Sequence, residues 1–378
     1  MQKKNHSALV LSGGGARGAY QAGVVLGLSE IFGKDFPFDI LTGVSAGGIN
    51  TAYLAAYRDD PVSAARQLVE IWKNLHTTQV FRSDLYSLAR IAIRWIIDLG
   101  FGGLLHRRKN LAQCLLDTSP LHELISKSLP FDRIEKNIAD NYLHSVAVTA
   151  TEYRESNAIT FVESNSKTSG WVRKKRMSVE TKLAVEHIMA SSAIPILFPP
   201  ISIQSTYYGD GSLRNMAPLS PAIHLGANKL LIVSVKKPAK VASSHLDGKN
   251  QPSTARVLSV VLNAILLDQL DFDMERLERI NQAVHMISSE YQNQTDLRPI
   301  DYVWIQPSED IGEKAKEYAH LLPATIRYLI RGLGSIEQAS EIISYLLFAP
   351  PFCSWLVDLG YRDAQNRSDE IKKLWGLM

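Results

Sequence analysis

A serine held between glycines is the residue of this sequence best placed to do covalent chemistry. Ser45 lies in TGVSAGG (Thr42–Gly48), between an apolar segment typical of a strand and a small-residue segment typical of a helix. Gly43 and Gly47 let such a turn close without Cβ clashes, and the hydroxyl then stands at the top of a sheet. The positive end of the following helix favours negative charge at the reaction centre. This arrangement indicates a nucleophilic serine.

A second glycine-rich stretch, LSGGGARGAY (Leu11–Tyr20), matches the GxGxxG fingerprint of dinucleotide-binding proteins. That fingerprint also needs an acidic residue at the end of the second strand, where it binds a ribose hydroxyl. Here the second strand ends in the turn of Ser45, and Asp39 lies within the strand rather than at its end. The sequence therefore disfavours a nucleotide cofactor, and with it a nucleotide-binding oxidoreductase.

The same glycines suit an anion that forms only during a reaction. Acyl transfer from an ester passes through a tetrahedral oxyanion, which needs fixed hydrogen-bond donors. Gly13, Gly14 and Gly15 can turn successive N–H groups toward one point, because no side chain restricts their dihedral angles. Arg17 either adds positive charge at that point or braces the loop against a carboxylate. The sequence leaves both roles of Arg17 open.

A serine hydroxyl is a poor nucleophile until a base removes its proton, and histidine is the usual base. The chain has ten histidines. His187 follows a charged helical segment, His224 lies within SPAIHLGA and His245 belongs to a polar segment. These settings are typical of surface or packing histidines, so none of the three is a convincing base.

Asp210 is the alternative base. It lies between Gly209 and Gly211 in YYGDGSLRNMAPL (Tyr207–Leu219). A carboxylate in an Asp-Gly turn is commonly a turn former, and a free aspartate with a pKa of about 3.9 is a weak base. Burial against the serine hydroxyl would raise that pKa and strengthen the base. The residues alone leave both roles of Asp210 open.

Apolar segments of strand length alternate with helical segments in the first part of the chain. The order of strand, glycine turn, helix, strand, serine turn and helix is typical of a layered α/β sheet. Strands are predicted at Ser7–Ser12, Phe38–Gly43, Ser145–Tyr153, Ala158–Ser164 and Leu230–Val235. A polar segment follows at Lys236–Thr254, and beyond it the sequence predicts helices, including Val257–Ser288, and one more strand at DYVWIQP.

The composition is that of a globular chain. Of 378 residues, 46% are hydrophobic and 21% are charged, and a net charge of +3 is too small to indicate nucleic-acid binding. Two cysteines, Cys114 and Cys353, fit a reducing compartment better than a disulfide framework. The apolar run before the first glycines is too short for the core of a cleavable signal peptide. We therefore expect a cytoplasmic protein.

An insert at about residues 80–110 contains the segment Leu85–Lys109, which combines bulky apolar residues with a basic end. One interpretation is a core or lid-supporting helix whose basic end is solvated. The other is a helix that lies in a membrane interface, with its basic groups near anionic head groups.

Together the motifs resemble those of the patatin-like phospholipases. GGGARG (Gly13–Gly18), GVSAG (Gly43–Gly47) and the pair Asp210-Gly211 occur in the family's order. ASSAIPILFPP (Ala190–Pro200) resembles the family's proline-bearing segment. The resemblance covers roughly residues 7–235, and the three motifs together are highly specific.

That resemblance implies a three-layer α/β/α fold related to the α/β-hydrolases. It makes Ser45 the nucleophile and Asp210 the base of a Ser–Asp dyad. The family's oxyanion-hole loop matches Gly13, Gly14, Gly15 and Arg17. The C-terminal part resembles the mostly helical extension of a bacterial subgroup, so we expect a catalytic domain at residues 1–235 and an extension at residues 236–378.

The function implied by the resemblance is a serine lipid acyl hydrolase of the phospholipase A or lysophospholipase type. It would act through an acyl-enzyme, without a metal or an organic cofactor. The expected substrates are phospholipids or lysophospholipids, reached from a membrane to whose inner face the protein binds peripherally, and a dimer is the first expectation. The alternatives are an acyl-CoA-independent transacylase on the same dyad and a non-catalytic membrane-binding module.

Overall fold

The computed structural model describes residues 6–83, 114–165, 170–238, 253–287, 295 and 297–377. The strands are β1 (His6–Leu11), β2 (Ile40–Val44), β3 (Ser145–Glu152), β4 (Asn157–Ser164), β5 (Val172–Arg173), β6 (Arg176–Glu180), β7 (Ile201–Ile203), β8 (Thr206–Asp210), β9 (Ala227–Val233) and β10 (Asp301–Ile305). The insert segment Leu85–Lys109, expected to be a lid support or a membrane contact, lies outside the described residues.

The helices of the first part are α1 (Gly18–Phe32), α2 (Ala46–Ala56), α3 (Pro61–Lys73), α4 (Thr77–Val80), α5 (Ser119–Ser128), α6 (Asp132–Ala139), α7 (Val185–Ser191) and α8 (Ser220–His224). Those of the second part are α9 (Thr254–Leu266), α10 (Asp268–Met286), α11 (Ile311–Tyr318), α12 (Ala324–Leu333), α13 (Ser340–Leu346), α14 (Pro350–Asn366) and α15 (Ser368–Trp375). Short 3-10 turns cover Gly15–Arg17, Gly211–Leu213 and Ala319–Leu321.

One sheet organises the molecule, with strand order β10-β9-β1-β2-β3-β4-β6-β5. The five strands from β10 to β3 run parallel to one another, and β4 is antiparallel to β3. The side chains of β1 and β2 are almost all buried, as expected where helices cover both faces of a parallel sheet. The carboxyl ends of these parallel strands meet at one edge, and ligands of open α/β sheets bind at that edge.

Helices cover both faces of the sheet. A large apolar core joins α1, α2, α3 and α14 to one face, and a smaller core joins α8 and α10 to the other. The three-layer α/β/α arrangement expected from the sequence is therefore confirmed, as is the mostly helical C-terminal region.

The C-terminal region shares the sheet and the core of the first part. Strand β10 pairs in parallel with β9, and helix α14 packs along α1. At that crossing, a Cβ on Gly360 would lie 2.0 Å from the carbonyl oxygen of Tyr20, and a Cβ on Gly23 would lie 1.9 Å from that of Val357. The two helices thus approach as closely as their backbones allow, and the boundary expected near residue 235 stays a prediction.

The helical segment expected at Val257–Ser288 is broken where α9 ends at Leu266 and α10 begins at Asp268. At this break, Lys236, the first residue of the polar segment, pairs with two carboxylates of α10. Lys236 Nζ contacts Asp268 Oδ1 at 2.6 Å and Asp271 Oδ2 at 2.8 Å. Both carboxylates lie in the first turn of α10, where the helix dipole also favours negative charge.

Among the described residues, no single helix is long and apolar enough to cross a membrane, although α13 and α14, bent by 96° at their junction, pass that test as a pair.

Candidate active site

Ser45 occupies a strained turn between strand β2 and helix α2. Its backbone dihedrals are φ 55° and ψ −130°, a region that residues with a Cβ rarely adopt. A Cβ on Gly47 would lie 2.3 Å from the carbonyl oxygen of Leu11, so only glycine lets the turn pack against β1. Strain of this kind persists where the surrounding structure holds it, and it clusters at active sites.

A relay of hydrogen bonds anchors the backbone of the serine turn. The N–H of Ser45 donates to Ser191 Oγ at 2.9 Å, and the Ser191 hydroxyl donates to the carbonyl oxygen of Thr149 at 2.7 Å. Ser191 is the last residue of α7, inside the proline-bearing segment noted in the sequence. The relay therefore ties the turn to strand β3 and explains why this segment accompanies the serine motif.

The sheet register brings Asp210 beside Ser45. Val44, the last residue of β2, is opposite Thr149 on β3. Asp210, the last residue of β8, is opposite Ala150, the next residue of the same strand. Strand β8 thus pairs with β3 directly after the point where β2 ends. The serine turn and the aspartate meet at this point.

The Asp210 side chain is fully buried, and burial raises its pKa from 3.8 to about 6. The nearby hydroxyl of Ser45 and the amide and hydroxyl of Ser212 lower the pKa, but by less. Oδ1 accepts a hydrogen bond from the Ser212 N–H at 2.8 Å. Oδ2 has no partner at full hydrogen-bond geometry within the described ranges. One oxygen is therefore anchored, and the other is buried and able to take a proton near neutral pH.

The glycine loop runs directly over Ser45. A Cβ on Gly13 would lie 3.1 Å from the Cβ of Ser45, so the loop backbone is in contact with the nucleophile. Gly15 has a φ of 57°. A Cβ on Gly15 would lie 2.4 Å from the carbonyl oxygen of Tyr345, so the two backbones are in close contact. Within the part of the chain that the structure describes, no carbonyl accepts from the N–H groups of Gly13, Gly14 or Gly15. These donors are therefore free to face an anion.

The Arg17 side chain braces the loop, which is the second of the two roles expected for it. Its guanidinium is buried, pairs with Glu341, and donates from Nε to Ser344 Oγ at 2.9 Å. Nη1 donates to the carbonyl oxygen of Val235 at 3.3 Å, and the guanidinium lies 4.8 Å from the ring centre of Tyr345. Its side-chain donors are thus turned toward α13 and toward Val235, two residues after the end of β9.

A second buried network supports the loop and was not expected from the sequence. Trp72 Nε1 donates to Asn50 Oδ1 at 2.8 Å, Asn50 Nδ2 donates to Gln21 Oε1 at 2.9 Å, and Gln21 Nε2 donates to the carbonyl oxygen of Ser12 at 2.6 Å. Asn50 and Gln21 are completely buried. A polar residue within an otherwise apolar helix, as in AGGINTAYLAA, is the signal that could have revealed it.

An apolar cavity begins at Ser45 and holds about 730 Å³ of empty space, part of it open to solvent. Ser45, Gly15 and Ser192 line its polar end, and Ser128 also lines the cavity. The walls are aliphatic and aromatic and come from several helices and their flanking loops, including Leu68, Ile71, Trp72, Leu121, Leu124 and Phe198. The cavity has the size and chemistry of sites that bury a flexible apolar ligand.

Two of the three histidines considered in the sequence have structural partners. His187 Nδ1 accepts from the N–H of Ala184 at 3.0 Å and so caps helix α7, and burial lowers its pKa. The His224 ring stacks on Trp171 with ring centres 5.0 Å apart, and His245 lies outside the described residues. No group of three or more His, Cys, Asp or Glu side chains within the described ranges could hold a metal ion.

The sequence model of one family, described as patatin-like phospholipase, matches residues 9–223, which is more than half of the chain. The matched range contains the glycine loop, Ser45 and Asp210. A search of curated proteins finds no match.

Several solved structures are similar in arrangement and distant in sequence. VipD from Legionella pneumophila aligns over 97% of this chain and 67% of its own, with 12% identity and a TM-score of 0.39. Human GIVD cytosolic phospholipase A2, in complex with methyl gamma-linolenyl fluorophosphonate, aligns over 97% and 59%, with 10% identity and a TM-score of 0.39. The type III effector ExoU from Pseudomonas aeruginosa aligns over 96% and 53%, with 16% identity and a TM-score of 0.34. This chain thus spans between about half and two thirds of the length of these proteins.

Proposed function

Because the chain belongs to the patatin-like phospholipase family, we propose that it is a serine lipid acyl hydrolase that works through a dyad of Ser45 and Asp210. One observation carries the proposal. The serine in the strained turn adjoins a buried carboxyl with a pKa of about 6, at the polar end of an apolar cavity. A nucleophile, a base and a binding site for an acyl chain thus meet at one point.

Acylation follows from the positions of these groups. Asp210 takes the proton of the Ser45 hydroxyl as Oγ forms a bond to the ester carbonyl carbon. The carbonyl oxygen becomes an oxyanion, which the free N–H groups of the glycine loop stabilise. The tetrahedral intermediate then breaks its bond to the alcohol, which leaves with the proton from Asp210. The acyl group remains on Ser45.

Deacylation repeats these steps with water. Asp210 takes a proton from a water molecule, and the oxygen of that water bonds to the carbonyl carbon of the acyl-enzyme. When the second tetrahedral intermediate breaks its bond to Ser45 Oγ, the serine regains a proton from Asp210. The fatty acid leaves, and the dyad returns to its starting state.

The cavity supports an acyl ester with a long chain as the substrate. Its walls are mostly aliphatic and aromatic, so affinity rises with the apolar area that the ligand brings. A phospholipid or lysophospholipid supplies such a chain next to an ester carbonyl. The cavity therefore favours these substrates over short polar esters.

Helix α9 supports an approach to a membrane surface. Val257, Val260 and Val261 are exposed by 51%, 54% and 45%, and their spacing places them on one helix face. The helix packs against the turn Gly211–Leu213 that follows Asp210. Arg256 is exposed beside the valines and has no ion-pair partner within the described ranges. An apolar face with a basic flank next to the site suits an anionic bilayer.

Vesicle binding tests this surface. Val260→Asp should lower co-sedimentation with phosphatidylglycerol vesicles, because it places a negative charge on the face that meets the lipid, and it should leave hydrolysis of a soluble ester unchanged. Equal co-sedimentation of the variant and the wild type would contradict the proposal that α9 contacts the membrane. The dimer and the cytoplasmic location expected from the sequence stay predictions.

Hydrolysis of a short-chain nitrophenyl ester tests the dyad. Ser45→Ala and Asp210→Asn should each abolish it, because one removes the nucleophile and the other the base. Ser145→Ala and Asp273→Asn are matched controls, since both residues are buried and Asp273 also has a raised pKa, but neither lies at the site. Retained activity in Ser45→Ala or in Asp210→Asn would overturn the proposal.

A further inference from the structure

A second cavity is lined by Gly13 of the glycine loop and by Ser212, two residues after Asp210. It holds about 500 Å³ of empty space, part of it open to solvent. The carboxyl ends of β1 and β2 form its floor, and the junction of α9 and α10 covers it. Its polar lining residues are Ser12, Thr42, Thr149, Ser212, Asn215 and Gln269. We call this space the polar chamber.

Two hydroxyls in the polar chamber are buried without a hydrogen bond of full geometry to the described residues, although that of Ser212 is close enough to Asp210 to lower its pKa. Thr42 is 3% exposed and Ser212 is 5% exposed, and neither Oγ1 of Thr42 nor Oγ of Ser212 has a partner at full hydrogen-bond geometry among the described residues. Buried hydroxyls in native proteins are almost always satisfied, by protein groups or by ordered water. Two such groups lining one cavity therefore indicate a small polar ligand between them.

Two lining residues of the chamber, Gly13 and Ser212, contact the dyad. A Cβ on Gly13 would lie 2.7 Å from Ser212 Oγ and 3.1 Å from the Cβ of Ser45, so Gly13 packs against both the chamber's hydroxyl and the nucleophile. On the other side, the N–H of Ser212 donates to Asp210 Oδ1 at 2.8 Å. A molecule bound to Ser212 is thus next to a residue that contacts the base directly and that contacts the acylated serine through Gly13.

Resting on the proposed function, we propose that the polar chamber binds the water that hydrolyses the acyl-enzyme, with the hydroxyls of Thr42 and Ser212 as its protein ligands. The acyl chain fills the apolar cavity during this step, so water must reach the ester from elsewhere. From the chamber, a water gives one proton to Asp210, and its oxygen bonds to the carbonyl carbon. The bond from that carbon to Ser45 Oγ breaks, and the proton passes from Asp210 to Oγ.

Thr42 and Ser212 act in deacylation under this proposal, and Thr42 acts without touching the dyad. Thr42→Val keeps the side-chain shape and removes only the hydroxyl. Acylation needs no water, so the burst of nitrophenol that reports it should keep its rate and amplitude. Steady-state turnover should fall about tenfold, and the acyl-enzyme should accumulate in intact-mass spectra during turnover. Thr42→Ser keeps a hydroxyl and should restore turnover.

Thr51→Val is the matched control. Thr51 Oγ1 is also buried without a partner in the described part of the chain, close to the serine turn, but it does not line the chamber. Its variant should turn over like the wild type. Ser212→Ala should slow deacylation as well, and it additionally removes an interaction that lowers the pKa of Asp210.

The proposed role of the chamber would be overturned if Thr42→Val lowered the burst and the turnover by the same factor, or lowered neither. It would also be overturned if turnover in Thr42→Ser were as slow as in Thr42→Val. In any of these cases a burst abolished by Ser45→Ala would leave the proposed function standing. A burst that persists in Ser45→Ala would instead overturn the proposed function itself.

Discussion

The carboxyl group of Asp210 has no exposed surface, and this sets its chemistry at the scale of single residues. Burial disfavours the charged form and raises the pKa to about 6, while the hydroxyls of Ser45 and Ser212 limit the rise. A base with this pKa is deprotonated at neutral pH and still strong enough to accept the serine proton. The carboxyl can therefore do what histidine does in other serine hydrolases.

The pH dependence of hydrolysis follows from this pKa. Below about pH 6 the carboxyl is protonated and cannot act as a base, so kcat/KM should fall about tenfold for each further pH unit. Above that value it should reach a plateau. Rates of nitrophenyl ester hydrolysis across the range, with folding checked at each pH, measure the profile. A profile that stays flat well below pH 6 would contradict Asp210 as the base.

The same burial makes Asp210 costly for stability. Between pH 3.8 and about 6 the folded protein binds more protons than the unfolded chain, so the free energy of unfolding falls as the pH rises through this interval. At pH 7.5 the full cost is present, about 3 kcal/mol at most. Asp210→Asn should therefore be more stable than the wild type at pH 7.5 and equal to it near pH 4.

Urea unfolding at the two pH values tests this expectation, with Ser145→Ala as a variant that removes a buried polar atom without altering the charge. An Asp210→Asn protein that is less stable than the wild type at pH 7.5 would show that the carboxylate is well stabilised in the fold. The pKa could then not be raised.

The candidate residues of the site could be predicted from the sequence. The residues that hold them in place could not. Glycine spacing and the serine turn are local patterns, and the resemblance identified Asp210. The partners of Arg17, by contrast, are Glu341 and Ser344, more than 300 positions away. Sequence patterns describe neighbours along the chain, whereas these contacts depend on how distant helices pack.

At the scale of elements, helix α13 holds the glycine loop in place. Glu341 and Ser344 on this helix bind the Arg17 guanidinium, and the carbonyl oxygen of Tyr345 lies against Gly15. The glycine loop therefore rests on the C-terminal region. The strands and helices around the serine turn were predicted closely, but nothing local in Ser340–Leu346 indicated this contact.

Glu341→Gln should destabilise the protein and slow hydrolysis. Arg17 is buried, and losing its carboxylate partner leaves an uncompensated charge, at a cost of about 3 kcal/mol. Unfolding free energy and ester hydrolysis measure the two effects. Glu337→Gln, an exposed substitution just before the same helix, is the control and should change neither. Full stability in Glu341→Gln would mean that the ion pair does not hold the loop.

Gly360→Ala tests the close crossing of α14 and α1. The new Cβ would lie 2.0 Å from the carbonyl oxygen of Tyr20, so the helices must separate, at a cost of about 1–3 kcal/mol. Gly332→Ala makes the same change in helix α12, where no described atom beyond its own stretch of helix lies within 4 Å of the new Cβ, and it should stabilise slightly because glycine is a poor helix former. Thermal unfolding compares them, and equal melting temperatures would contradict the close crossing.

At the scale of the whole molecule, one sheet carries residues from both parts of the sequence. Strand β10 extends the sheet beyond β9, and helices after residue 236 cover the glycine loop and the polar chamber. The sequence predicted the strand and the helices, and it placed a boundary where the composition changes. Composition reports solvent exposure of a connecting segment, so it does not show that the segments on either side share a core.

Labelling of the intact chain with a fluorophosphonate tests the central claim most directly. The reagent phosphonylates a serine only when a base activates it, so mass spectrometry of peptides identifies the nucleophile without any assumption about the substrate. We predict one adduct, on Ser45, and none in Ser45→Ala. An adduct on another serine, such as Ser192 or Ser212, or no adduct on the folded wild-type protein, would contradict the account.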